Sequence, residues 1–320
     1  MEKYELTVVT TTYNQEKYIE KCIESIMMQK TNFKFQLIVS NDNSSDDTSN
    51  ILKKLKEKYK SNLKIINRKE NLGPMNNFIT TLNDVHTKYV ALCDGDDYWT
   101  DDTKLQKQYE FLEKHKDYNI CFHQTLIKFE DDTKENILHP LNLKNTLTLK
   151  NLLEENFIPA NTVVYRWKYT KKNSLVEDFP KDIVPGDYYL HLMHAKDGKI
   201  KYIDKQMSVY RRQESGMWYL TTQPNKQVEF YYLYGKKYYN FYKQSEIKLN
   251  MKGCFQDQKE WILKNYVKAI IKRRKKKELE KILESEYKDN YNVLSVALSE
   301  LNRLDKLFYH LVKKSYFKKR

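Results

Sequence analysis

Residues 90–99 read VALCDGDDYW. An apolar run, Val90 to Cys93, ends on three carboxylates in four residues, Asp94, Asp96 and Asp97, and two aromatics follow. Like charges at the end of a buried strand repel one another and resist desolvation unless a cation or a ligand offsets them. An EF-hand loop does not account for them, because its fifth and sixth positions would be Tyr98 and Trp99. A P-loop motif is absent, and no GxGxxG follows the first strand. What remains is an Asp-x-Asp at a strand end. Its hard oxygens suit Mg²⁺ or Mn²⁺ shared with a diphosphate. Gly95 allows the backbone to approach such a ligand closely.

Outward from this stretch the chain alternates. LTVVTT (6–11), FQLIVS (35–40), LKIIN (63–67), KYVALC (88–93) and NICFHQTLI (119–127) read as strands. Between them, 16–29 places Ile19, Cys22, Ile23, Ile26 and Met27 at helical spacing. Ser44 or Ser45 is expected to open a helix reaching Tyr59, residues 74–85 form a third with Pro74 in its first turn, and Asp101 or Asp102 caps a fourth ending near His115. The fold class is therefore α/β: a mixed, mostly parallel sheet with helices on both faces. In such sheets ligands lie beyond the carboxyl ends of the strands, where Asn14, Asp42 and Asp94 fall. Residues 128–220 are less regular, with a strand near 161–167, a helix near 187–196 and a strand near 200–210. From about 222 the chain reads as helical to its end.

The 320 residues are 40% hydrophobic and 31% charged, with mean hydropathy −0.82, which points to a soluble protein with a sizeable core. No apolar run approaches the roughly 18 residues of a spanning helix, and MEKYELTVV lacks a signal-peptide layout. Cys22, Cys93, Cys121 and Cys254 have no metal-type spacing and read as reduced thiols in a cytosol. Of the net charge of +14, residues 221–320 carry +13, from 24 Lys/Arg against 11 Asp/Glu. That asymmetry divides the chain into two expected regions, 1–220 and 221–320, and implies an anionic partner for the second.

The order TTYNQ (11–15), VSNDNSSDDT (39–48), NLGPMNN (71–77), LCDGDDYW (92–99) and GDYYL (186–190) resembles the bacterial family 2 glycosyltransferases. The resemblance covers roughly residues 4–220. It implies the GT-A nucleotide-sugar-binding fold and inverting transfer from a nucleotide sugar, a UDP-sugar first, to a surface-polysaccharide or lipid-linked glycan acceptor, with Mn²⁺ or Mg²⁺ as cofactor. Carried over by position, Thr12, Tyr13, Asn71 and Gly73 line the nucleobase pocket and Asp42 accepts a hydrogen bond from the base. Asp94 lies on the donor's ribose side with Gly95 beside it among the donor-binding residues, Asp96 holds the metal, and Asp187 is the general base. Trp99, Arg211, Gln213 and Trp218 fall on the metal or acceptor side. Relatives often carry a histidine where VYRRQESGMW (209–218) has Gln213, so a third protein ligand is in question; His191 and His194 are alternative candidates for reaching the site.

The Tyr- and Lys-rich end, with YYLYGKKYYNFYK (231–243) and IIKRRKKKELEK (270–281), reads as a surface for anionic lipid at the inner face of the plasma membrane, as a solvated helical bundle, or as a nucleic-acid-binding module. A catalytically weak nucleotide-sugar-binding scaffold with the same fold is the remaining alternative.

Overall fold

The computed structural model describes residues 4–131, 134–213, 216–223, 226–284 and 291–318. They form two compact units. The first takes the residues through Pro180 together with Gly186–Gln213, and the second Lys181–Pro185 with those beyond Gln213.

The first unit is built on ten strands: β1 (Leu6–Thr12), β2 (Phe35–Asn41), β3 (Leu63–Asn67), β4 (Tyr89–Leu92), β5 (Tyr98–Trp99), β6 (Tyr118–Phe129), β7 (Ile137–His139), β8 (Thr146–Leu147), β9 (Val164–Arg166) and β10 (Lys199–Arg212). They make one sheet in the order β3-β2-β1-β4-β9-β6-β10-β5, with β7 on β6 and β8 on β10. β3, β2, β1 and β4 run parallel, and β6 and β10 run parallel to each other; β9 is antiparallel to both its neighbours. The β-branched and aliphatic residues of β1, β2 and β4 are enclosed, as strands covered on both faces require. Each buried valine, leucine or isoleucine among them stabilises the fold by about 1.5–3 kcal/mol. Their register pairs Val9 with Leu92 and Thr12 with Asn41, so the loops carrying Asn14, Asp42 and Asp94 leave the sheet at one edge.

Two expectations need adjustment. The helix expected from Ser44 or Ser45 begins later, as Thr48–Tyr59. Ser44 is spent instead on Asn41 Oδ1, to which its backbone N–H and hydroxyl donate, and Ser45 N–H donates to Asn14 Oδ1 at 2.8 Å. The strand expected at 161–167 is the short β9, preceded by a single tight turn at Ala160–Thr162.

The helix Lys104–Lys114 begins on a buried amine that meets the Trp99 ring. Lys104 is fully buried, its Nζ has no hydrogen-bond partner and sits 4.0 Å from the Trp99 ring centroid. Burial pulls its amine down to about 7. The unfolded chain therefore binds more protons than the folded one between about pH 7 and the ordinary lysine range near 10.5, and this lysine's penalty fades as pH rises through that window. Lys104→Met is expected to raise the melting temperature and to flatten the rise of stability between pH 7 and 9; equal slopes for both proteins in thermal unfolding would refute this.

The second unit contains the helices Gln227–Leu249, Gln256–Lys272, Lys276–Glu284, Tyr291–Ser299 and Arg303–Lys318. Leu263, Val267, Ile270 and Ile271 pack with Leu279, Ile282, Ala297 and Val312 in its core. The first two of these helices meet at Gly235, where an added Cβ would lie 2.7 Å from Cβ of Tyr266. Among the described residues no helix is long and apolar enough to cross a membrane.

Candidate active site

The three aspartates after β4 have different fates. Asp97 is sealed. One of its oxygens accepts the Arg211 backbone N–H at 2.9 Å and the other has no partner. Asp94 and Asp96 remain half-open. Asp94 Oδ1 accepts the Thr11 hydroxyl at 3.2 Å, and Asp96 Oδ2 accepts Gln213 Nε2 at 2.7 Å. Burial, with the neighbouring Asp96 and Asp187 carboxylates, pushes the Asp94 carboxyl up to about 7. Burial raises Asp96, against the hydrogen bond from Gln213, and raises Asp97 well above the carboxylate range, with Asp96 and Asp94 adding to it. The group is electrostatically frustrated as it stands, and positive charge would relieve it.

Gly95 sits between these carboxylates and β1. Its N–H donates to Thr11 O at 3.0 Å, and a Cβ there would come within 2.4 Å of Gln15 Oε1 and 2.9 Å of Thr12 Cβ. Gln15 Oε1 accepts the Thr12 hydroxyl at 2.8 Å, and its side chain also bonds Asp96. Only glycine lets the acidic loop lie this close to the first strand.

The loops after β1 and β2 are laced together. Asn14 N–H donates to Ser44 Oγ at 2.9 Å and Gln15 N–H to Thr48 Oγ1 at 3.0 Å. Glu16 N–H donates to Asp46 Oδ2 at 3.0 Å, and Asp47 N–H returns a bond to Glu16 Oε2 at 2.8 Å. Tyr13 projects from this seam, 49% exposed, with its ring available for stacking. Asp42 is buried, and its Oδ1 accepts Leu72 N–H at 2.8 Å, which joins it to the Asn71–Gly73 loop. Asn71 Oδ1 in turn accepts Gly73 N–H at 2.9 Å, and Gly73, at φ 80°, starts the helix Pro74–Asn83. Thr12, Asp42, Asn71 and Gly73 thus belong to one connected wall.

Asp187 opens the helix Gly186–Ala195 and accepts the N–H of Tyr188 at 2.9 Å. Burial lifts its carboxyl to about 6. It is close enough to Asp94 to raise that group's pKa.

The remaining expected residues divide. Arg211 is buried. Its Nη1 donates to Asp96 O at 2.5 Å and its Nε to Glu130 Oε1 at 3.0 Å, while its guanidinium packs over the rings of Tyr98 and Tyr18. It positions the acidic loop. Gln213 Nε2 donates to Asp96 Oδ2 at 2.7 Å, which places it beside that carboxylate. Trp99 is enclosed, with its indole N–H on Asn161 O at 2.9 Å, so it packs the core and does not face an acceptor. Trp218 belongs to the second unit, near Phe230 and Tyr238. His191 and His194 are also interior. His191 bonds Tyr165 OH and Ile158 O, and His194 bonds Leu190 O, so neither serves the acidic loop. Thr11, Gln15 and Glu130 are additional parts of the site. The first two stand in the TTYNQ stretch beside residues already singled out; Glu130 carries no local signal.

Among the described residues no three or more His, Cys, Asp or Glu side chains are grouped as an all-protein metal cage would need. The half-open carboxylates instead suit a hard divalent cation that takes most of its ligands from phosphate and water. The model of glycosyl transferase family 2 matches residues 7–215. The chain belongs to this family. An uncharacterised protein of Mycobacterium tuberculosis is 36% identical to it over 214 residues, which cover 67% of this chain and 60% of that one. The chain thus spans less than two thirds of the length of that relative. Staphylococcus aureus TarS 1–349 in complex with UDP-GlcNAc matches with a TM-score of 0.53 at 20% identity, covering 83% of this chain and 81% of that one. The mannosyltransferase PcManGT of Pyrobaculum calidifontis, in complex with GDP-Man and Mn²⁺, matches with a TM-score of 0.52 at 14% identity, covering 99% and 85%. These likenesses establish the GT-A fold for this family 2 member.

Proposed function

We propose that this chain is an inverting glycosyltransferase that moves a sugar from a nucleotide sugar, a UDP-sugar first, to a hydroxyl of a surface-polysaccharide or lipid-linked glycan. The observation that carries the reading is the meeting of the half-open Asp94–Asp96 pair with Asp187 and the Thr12–Asp42–Asn71–Gly73 wall on one unit. Residues 1–220 would be the catalytic region and 221–320 a separate appended one. UDP-GlcNAc on TarS and GDP-Man with Mn²⁺ on PcManGT support a nucleotide-sugar donor and a divalent cation here.

Tyr13 would stack on the base and Asp42 accept its ring N–H, while Asp94 would meet the ribose. Asp96 would hold Mn²⁺ or Mg²⁺, which supplies positive charge against the diphosphate leaving group. Asp187 would take the proton of the attacking acceptor hydroxyl in a single in-line displacement, which needs no second carboxylate to protonate the departing oxygen. Arg211, through Asp96 O, and Gln213, through Asp96 Oδ2, would fix the carboxylate's aim.

The family match favours this over a binding-only scaffold or a nucleic-acid module. Calorimetric titration should show UDP binding that tightens when Mn²⁺ is added, and a screen of UDP-, GDP- and dTDP-sugars with Mn²⁺ should release nucleoside diphosphate for at least one donor. Binding without release from any donor would leave the scaffold reading standing instead.

A further inference from the structure

The helix Arg303–Lys318 is apolar on two sides. One side sends Tyr309, Val312 and Tyr316 into the core of the second unit. The other presents Leu304, Leu307 and Leu311 at the i, i+3, i+7 spacing of a helical stripe; they are 68%, 53% and 58% exposed. Arg303, His310 and Lys314 are exposed around the stripe. The helix has a single acidic residue, Asp305, and it is buried, with Arg274 Nη1 at 2.9 Å from its Oδ1.

That ion pair brings in the most basic stretch of the chain. Residues 272–277 read KRRKKK and run from the end of the helix Gln256–Lys272, through the turn at 273–275, into the start of the helix Lys276–Glu284. Arg274, from this turn, also lies over the Phe308 ring at 5.1 Å, so turn and stripe are adjoining parts of one surface. Lys272 and Lys277 on it are exposed. Arg273 pairs with Glu229, and Lys276 reaches Glu280 at 4.0 Å.

We propose that this surface docks the second unit on a bilayer containing anionic lipid, the leucine stripe entering the interface and the KRRKKK stretch meeting the headgroups. An amphipathic helix with basic residues beside a leucine face binds by apolar burial plus attraction to negative lipid. Charge complementarity selects this occupant. A second copy would bring two strongly basic surfaces together, and a nucleic acid would engage the lysines and leave the leucines in water. The inference does not rest on the donor-site reading, since it is tested without nucleotide.

The 320-residue protein is sedimented with vesicles of phosphatidylcholine mixed with phosphatidylglycerol and with vesicles of phosphatidylcholine alone. Sedimentation is expected with the first and not with the second. The triple variant Leu304→Ser, Leu307→Ser, Leu311→Ser should weaken binding by at least about a hundredfold, on the order of tenfold per half-buried leucine. Lys272→Gln with Lys277→Gln should weaken it by on the order of tenfold, less at high salt. All five positions are exposed, so circular dichroism should show both variants folded, and the lysine pair tests the surface separately from the leucines. Equal sedimentation with both vesicle types, no sedimentation with either, or a triple variant that sediments like the parent protein overturns the proposal. A dimer lost in the triple variant by light scattering, with vesicle binding unchanged, would assign the stripe to self-association instead.

Discussion

Replacing Asp96 with asparagine is expected to abolish Mn²⁺-stimulated donor turnover, lowering it by about a thousandfold or more. The substitution keeps the shape and removes the charge. It leaves Arg211 on the backbone carbonyl and Gln213 beside the side chain, so the loop itself should hold. Stability should be unchanged or higher, because burial and the neighbouring carboxylates already disfavour the ionised cluster. The measurement is nucleoside diphosphate release against Mn²⁺ concentration, with thermal unfolding alongside. A folded Asp96→Asn protein with the parent's Mn²⁺ response would remove this carboxylate from the mechanism.

The second large effect concerns Asp187. Asp187→Asn should lower kcat by about a hundred- to ten-thousandfold, the range for loss of a positioned base, while the affinity for UDP stays within about twofold. The pH profile carries a further expectation. A base works only when ionised, and burial lifts this carboxyl to about 6. Below that value the acid form dominates and the rate falls with each proton gained; above it the rate levels off. The parent protein should therefore show an acid limb near pH 6 in its turnover, and the residual activity of Asp187→Asn should not. A flat profile in the parent, or a variant that keeps kcat, would assign the proton to another acceptor.

The sheet's parallel half was legible in the sequence because its strands are short, β-branched and apolar, and the helices between them repeat at helical spacing. The strand-end carboxylates were legible for a related reason: charge abutting an apolar run is conspicuous. What escaped was set by partners distant in the chain. The two-residue strand Tyr98–Trp99 exists only because Ser208 and Val209 lie opposite it. Trp99 looked like a site residue from its neighbours, yet Asn161, 62 positions away, takes its indole N–H. Sequence alone left the part played by Gln213 open; its partner, Asp96, lies 117 positions away. The start of the second helix moved because the serines that would cap it were claimed by Asn14 and Asn41, a competition that local propensity does not register.

The reciprocal bonds joining residues 14–16 to residues 44–48 mean that neither segment has a conformation of its own. A designer grafting one of these segments from a homologue would sever half of each pairing and import side chains with nothing to hold. The transplantable piece is the two segments together, and natural variation there should come as matched exchanges rather than single replacements.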